Sequence, residues 1–189
     1  KVEMAARLVP TKQQLAWQQL ELTAFIHFGI NTFTGKEQGD GKEFPVMFNP
    51  VALDAEQWVK ALKAGGLKSV VLTAKHHDGF CLWNTRTTDW NIVKSTPYGK
   101  DMVAQLSCSA KKQNMKFGLY FSQALDWANG GSGRRWDPDM NVRTFDEYID
   151  EVGIPQIHEL LSDFGKLDIL WWDMPIEMTP ERAAKYYSA

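Results

Sequence analysis

The amino-acid sequence predicts an α/β fold, a partial (β/α)8 TIM-like barrel made of about the first four β/α units. Three observations carry this expectation. Short apolar, β-prone runs alternate with segments of helical periodicity. The runs are apolar throughout instead of alternating with polar residues, as in a parallel sheet covered on both faces. Segments that follow strands are long and polar, whereas those that precede them, such as Gly65-Gly66-Leu67-Lys68 and Gly165-Lys166-Leu167, are short. Such units also fit an open doubly wound sheet. The loop asymmetry favours the barrel, which carries its functional groups on the strand-to-helix side. A complete barrel takes roughly 250 residues, so residues 1–189 are read as the N-terminal portion of one barrel domain.

Residues 1–20 read as a polar lead-in with a short helix. Thr23–Phe28 is a buried strand that Gly29 ends, and residues 31–53 form a long loop. Asp54 caps a helix through Ala64, with Trp58, Val59 and Leu62 at helical spacing, and Gly65-Gly66 stops it. The unit then recurs. Strand Ser69–Ala74 leads to helix Asp101–Asn114, and strand Lys116–Ser122 leads to a long helix, Thr144–Phe164, with Thr144 or Asp146 near its cap. Asp168–Trp172 is the fourth strand, and Thr179-Pro180-Glu181 opens a last helix with Pro near its first position.

Composition removes several function classes. The net charge is −2 with no basic stripe, so no nucleic acid is expected. No apolar run reaches the ~20 residues of a membrane span. Cys81 and Cys108 make neither a disulfide framework nor a Cys-x-x-Cys metal pattern. No cofactor is expected, and oligomeric state is not fixed.

Chemistry gathers at the strand ends. The first strand delivers His27, and the second runs into Lys75-His76-His77-Asp78. The third carries Tyr120 and leads to Gln123, Asp126 and Trp127, and the fourth ends at Asp173. Ionisable groups at the C-terminal ends of parallel strands mark a site. Strand alternation puts Trp171 and Asp173 on one face and Trp172 on the other. A ring beside a carboxylate suits a sugar, covering an apolar pyranose face while the carboxylate addresses the anomeric carbon. Trp83, Trp90, Trp127, Trp136, Trp171 and Trp172 all fall near strand ends or in loops, where some face a ligand and others cap the core.

His76-His77 invites a metal reading. Adjacent residues of an extended strand point oppositely, so hydrogen bonding to sugar hydroxyls explains them better. His158, on the long helix, is assigned a packing or solvent-facing role. Glu37 and Glu43 lie in the first long loop, where solvation is ordinary, although Glu37 can reach over the site.

These residues resemble the α-L-fucosidases, retaining glycoside hydrolases that remove terminal L-fucose. The matching segments are Phe25-Ile-His-Phe-Gly-Ile-Asn-Thr-Phe-Thr34, Phe48-Asn-Pro50, Ala74-Lys-His-His-Asp-Gly-Phe-Cys-Leu-Trp83, Gly118-Leu-Tyr-Phe-Ser122 and Leu170-Trp-Trp-Asp173, in the family's order. The resemblance implies that residues 1–189 are the N-terminal part of a catalytic domain, with Asp173 as nucleophile and no metal. It implies fucose-hydroxyl contacts from His27, His76 and His77, with Tyr120 and Trp171 lining the pocket. Glu37 matches a sugar-binding Glu, but Gln38 replaces the Trp that usually follows, which suggests a changed loop or linkage preference. Phe121 stands where one branch has a second Tyr. The acid/base carboxyl is implied to come after Ala189, so residues 1–189 alone are expected to be inactive; Glu177 is not given that role. The resemblance further implies a fucosylated glycan substrate and export from the cytosol. Two other readings stay open: a non-catalytic sugar-binding protein on the same fold, and a metal-dependent barrel hydrolase with His27, His76 and Asp173 as ligands.

Overall fold

Side-chain caps set where several of the helices begin. Asp54 accepts from the Gln57 N–H, and Asp101 accepts from the Ala104 N–H. Thr144 forms a reciprocal capping box with Glu147. In the computed structural model, which describes residues 8–132 and 143–188, the elements follow in the predicted order. They are α1 (Lys12–Gln18), β1 (Thr23–Ile26), α2 (Ala55–Ala64), β2 (Ser69–Lys75), α3 (Met102–Lys112) and β3 (Lys116–Ser122). Then come α4 (Phe145–Tyr148), α5 (Ile154–Ser162), β4 (Ile169–Asp173) and α6 (Pro180–Ser188). The loop after β1 is more ordered than expected, since it contains short 3-10 helices at Ile30–Phe33 and Pro45–Met47.

The strands form one parallel sheet in the order β1-β2-β3-β4. Sequential order with a helix in each crossover is the arrangement of a barrel arc, whereas a doubly wound sheet reverses its strand order. Parallel register gives each face a composition. Ala24, Val70, Leu72, Ala74, Phe117, Leu119 and Phe121 join the helix-covered core, together with Val59, Val103, Leu106, Ile157 and Leu160. The opposite face carries Phe25, Val71, Gly118, Thr73, Tyr120 and Trp171. Gly118 is needed there, because a Cβ would sit 2.9 Å from the Ile169 Cβ and 3.2 Å from a Val71 methyl.

One irregularity decides what the second strand presents. Thr73 pairs with Tyr120, but Lys75 pairs with Phe121, so a bulge lies between Thr73 and Lys75. Strict alternation would aim Lys75 at the Tyr120 face. The bulge turns it onto the helix side, where its Nζ lies 4.2 Å from the Phe121 ring centroid. Lys75 is fully buried and all three of its donors are used: on Asp126 Oδ2 at 2.8 Å, Tyr148 Oη at 2.7 Å and Gln156 Oε1 at 2.9 Å.

The expected long helix over 144–164 is interrupted by a π segment at Ile149–Gly153. Tyr148 and Gln156, eight residues apart, would lie ~80° apart around an ideal α-helix. One extra residue taken up in the wide turn returns them to within ~20° of each other. Both side chains then reach the same ammonium. Gly153 also lets the Tyr186 hydroxyl approach where a Cβ would collide.

Removing Lys75 leaves Asp126 buried without its cation. The Lys75→Met variant is expected to lose about 3–5 kcal/mol of unfolding free energy, read from urea denaturation. A loss below about 1 kcal/mol would show that the pair carries none of the fold.

Candidate active site

The second strand ends at Lys75, so His76 and His77 lie in a turn, which the Gly79 N–H closes on the His76 carbonyl at 3.0 Å. Opposed directions, expected for an extended chain, therefore do not occur. The two imidazoles stack with centroids 4.0 Å apart. His27 packs against His76 at 4.5 Å, and Tyr120 stacks on His76 at 5.7 Å. Thr73 holds the exit of β1 in place: its hydroxyl donates to the Phe28 carbonyl at 2.6 Å and accepts from the Phe28 N–H at 3.1 Å.

On the third and fourth strands the register sets Tyr120 beside Trp171 and Ser122 beside Asp173. The Tyr120 hydroxyl donates a short hydrogen bond to Asp173 Oδ2. Burial, followed by that bond to the carboxylate, pushes the Tyr120 phenol far above its ordinary value, so its proton stays on. Trp171 is half-exposed and packs on Tyr120 at 5.4 Å and on Phe25 at 4.8 Å. Trp172 faces the other way, against Phe121 and Tyr186. Directly after Asp173, Met174 adopts φ 52°, left-handed backbone that a non-glycine residue seldom takes. Its side chain packs with Leu125 and Trp127.

The structure thus brings His27, His76, His77, Tyr120, Trp171 and Asp173 to one end of one sheet face. Glu37 is exposed on the loop after β1, and a cavity of about 290 Å³ opens between it, His27, His76, Asn31 and Asp78. A larger groove of about 620 Å³ lies elsewhere, between α3 and the turn that precedes β4. Glu43, expected on the surface, is buried and accepts from the Asp40 and Gly41 N–H groups. Trp83 is core, its Nε1–H donating to Glu159 Oε2 at 2.8 Å. Trp127 packs edge-on to His77 at 5.8 Å, Trp90 packs against Phe80, and Trp136 falls outside the described residues. His158 is exposed. Among the described residues, no three His, Cys, Asp or Glu side chains converge as a metal site would require.

Several participants were not singled out from the sequence. The Ser122 hydroxyl oxygen lies 2.8 Å from His77 Nδ1. Asn31 donates to Asp78 Oδ2 at 2.9 Å, tying the Glu37 loop to the histidine turn. The Trp127 and Ala128 N–H groups donate to the carbonyls of His77 and Asp78, joining the loops that follow β2 and β3. Alternation along Tyr120-Phe121-Ser122 would have placed Ser122 on the site face. The backbone bonds left no trace in side-chain chemistry.

The electrostatics favour neutral imidazoles. Burial lowers His76 to about 3, helped by His77 and His27 and opposed by Asp173. His77 is lowered as well, mainly by burial. Asp78 goes up to about 7, mainly through burial, with Glu43 and Asp126 adding to the rise. At neutral pH the site therefore offers uncharged ring nitrogens beside the Asp173 carboxyl group.

Comparison with known proteins bears on this geometry. The alpha-L-fucosidase family model matches residues 16–188. Alpha-L-fucosidase 1 of Arabidopsis thaliana is 40% identical over 168 residues, covering 87% of this chain and 31% of that protein. Plasma alpha-L-fucosidase of Rattus norvegicus is 35% identical, over 83% of this chain and 33% of its own length. Among solved structures, alpha-L-fucosidase AlfC from Lactobacillus casei in complex with α-L-fucose product superposes with a TM-score of 0.84 at 27% identity. That match covers 94% of this chain and 66% of the other. A variant of the same enzyme holds Fuca(1,6)GlcNAc. A glycoside hydrolase 29 family member from a rumen bacterium gives a TM-score of 0.76 at 36% identity, over 87% of this chain and 28% of its own. The chain spans about a third of the length of the curated relatives it matches.

The histidine values predict a site-resolved titration. A depressed folded pKa withholds a proton that the unfolded chain would bind, so His76 contributes stability above pH ~6.5 that is lost as pH falls toward about 3. Asp78, raised to about 7, works oppositely between ~3.9 and that value. Global stability mixes the two, so the measurement is imidazole NMR. The His76 ring is expected to stay neutral down to pH ~4, and a midpoint near the ordinary ~6.5 would contradict the buried, crowded site.

Proposed function

This chain belongs to the alpha-L-fucosidase family, and from that premise we propose that it supplies the first four β/α units, the nucleophile and part of the sugar pocket of a retaining α-L-fucosidase. The observation that carries the proposal is the hydrogen bond from the Tyr120 hydroxyl to Asp173 Oδ2, with the half-exposed Trp171 ring alongside. A carboxyl group held by one fixed donor keeps its direction. Its second oxygen is free to approach an anomeric carbon.

The reaction follows retaining-glycosidase chemistry. Asp173 attacks the anomeric carbon as the glycosidic bond breaks, through a transition state of oxocarbenium character, and forms a glycosyl-enzyme ester. Water then displaces the carboxylate from the opposite side, restoring the original configuration. The acid/base carboxyl is assigned to a later part of the catalytic domain, after residue 189. Retention needs it ~5–5.5 Å from Asp173.

The remaining residues account for selection. His27, His76 and His77, with neutral His76 and His77 rings, exchange hydrogen bonds with ring hydroxyls without adding positive charge near a cationic transition state. Phe25, Tyr120 and Trp171 form an aromatic wall suited to the apolar face and methyl group of a 6-deoxy sugar. Glu37 closes the cavity from the loop side. The substrate is proposed to be a fucosylated glycan, consistent with the relative that holds Fuca(1,6)GlcNAc. No helix among the described residues is long and apolar enough to cross a membrane. Relatives named as plasma enzymes support export.

In the full-length protein, Asp173→Ala is expected to lower kcat for an aryl α-L-fucoside by a factor on the order of 10⁴. Azide should restore turnover by occupying the vacated face and yielding the inverted fucosyl azide. Fucose binding without turnover by the wild-type protein would instead identify a sugar-binding protein. Undiminished hydrolysis by the variant would remove Asp173 from the mechanism.

A further inference from the structure

Among the described residues, His77 has one hydrogen-bonding neighbour at its ring, and that neighbour's proton is already committed. The Ser122 hydroxyl donates to the Leu125 carbonyl at 2.8 Å, and the same oxygen lies 2.8 Å from His77 Nδ1. A hydroxyl has a single proton, so one of the two contacts must be supplied from the other side. The Leu125 carbonyl can only accept. Ser122 therefore accepts from His77, and Nδ1 bears the hydrogen. With the other tautomer, either two lone pairs would face each other in a buried space or Ser122 would turn to Nδ1 and leave the Leu125 carbonyl without this donor, and Ser122 is fully buried.

The rest of the environment keeps the ring in this orientation. His76 stacks on it at 4.0 Å, Trp127 meets it edge-on at 5.8 Å, and the His77 carbonyl accepts from the Trp127 N–H at 2.9 Å. Among the described residues, nothing else hydrogen-bonds to the imidazole, so Nε2 keeps an unused lone pair.

We propose that Ser122 is a positioning residue that fixes His77 as the Nδ1–H tautomer, so that Nε2 meets the sugar as a hydrogen-bond acceptor and requires a ligand hydroxyl that donates to it. The lowered pKa of His77 agrees, since an acceptor nitrogen is available only on a neutral ring. The sugar part of this statement rests on the fucosidase reading, whereas the tautomer does not.

The test is a long-range proton–nitrogen correlation on full-length protein labelled with ¹⁵N-histidine, with His77 assigned by loss of its signals in His77→Gln. Wild type at neutral pH is expected to show Nδ1 protonated and Nε2 bare. Ser122→Ala should move His77 toward the Nε2–H form that free imidazole side chains prefer. It should also lower kcat/KM for an aryl α-L-fucoside by about tenfold, mostly through KM, as for one lost hydrogen bond. Ser122→Thr should restore both. A wild-type spectrum with Nε2 protonated, or an unchanged tautomer in Ser122→Ala, would overturn the assignment. Should Ser122→Ala fail to fold, the wild-type spectrum still decides. Absence of fucoside turnover in wild type would refute the fucosidase reading and leave the tautomer result standing or falling by itself.

Discussion

Everything at the site depends on where Lys75 points. It is the last residue of β2, followed at once by His76 and His77, and without the bulge its ammonium would enter the face that holds Asp173. A cation there would compensate the carboxyl group and, in the proposed reaction, would oppose positive charge at an anomeric carbon. Turned to the helix side, the same charge is used up by Asp126, Tyr148 and Gln156. Such a buried ion pair returns little net stability over an apolar replacement, because desolvation offsets the attraction. What it supplies is geometry. Lys75 joins the strand, the loop after β3 and two helix segments through a single atom, and the histidine turn starts from a point that cannot drift.

From that anchor the polar groups sort into two sets. Behind the sheet lie compensated charges: Lys75 with Asp126, and Glu159 with Trp83 and the Arg86 backbone. On the site face lie uncharged donors and acceptors around Asp173. His76 is held neutral by burial, with His77 and His27 adding to the effect, and His77 is lowered by burial, with His27 and Lys75 adding; Tyr120 keeps its proton because it is buried and bonded to the carboxylate. Interactions inside a partly dry pocket are stronger than in water, so neutral rings beside Asp173 add no positive charge where a cationic centre would form. The left-handed Met174 marks the strand exit as a place where backbone cost is tolerated to aim a side chain.

The fold was readable because its signals are local. Apolar runs, capping residues such as Asp54, Asp101 and Thr144, and stops such as Gly65-Gly66 act within a few residues of where they stand. The site was readable to the extent that alternation holds, as along Trp171-Trp172-Asp173 and Phe25-Ile26-His27. It failed at the bulge, whose single extra residue changes face assignment without altering composition. His76 and His77 stack for a separate reason: the strand ends at Lys75, and the two residues lie in the turn that follows. The π segment escaped for a related reason: hydrophobic periodicity continues across it, and the ammonium that Tyr148 and Gln156 both reach belongs to a lysine 73 residues from Tyr148 in the chain. Glu43 was misread because its partners are backbone amides in an irregular stretch of chain, whereas Trp83 is one of the core tryptophans that the sequence allowed for, held by the distant Glu159.

The central claim is that Asp173 forms the bond to the sugar, and covalent trapping addresses it directly. A 2-deoxy-2-fluoro fucosyl fluoride slows both steps by destabilising the oxocarbenium-like transition states, while its good leaving group lets the first step proceed, so the glycosyl-enzyme accumulates. Proteolysis and mass spectrometry of the full-length protein then locate the label. A fluorofucosyl ester on the peptide that contains Leu170–Asp173, fragmenting to Asp173, is the expected result. A label on any other carboxylate, or sustained turnover of fucosides by an enzyme that never acquires one, would contradict it.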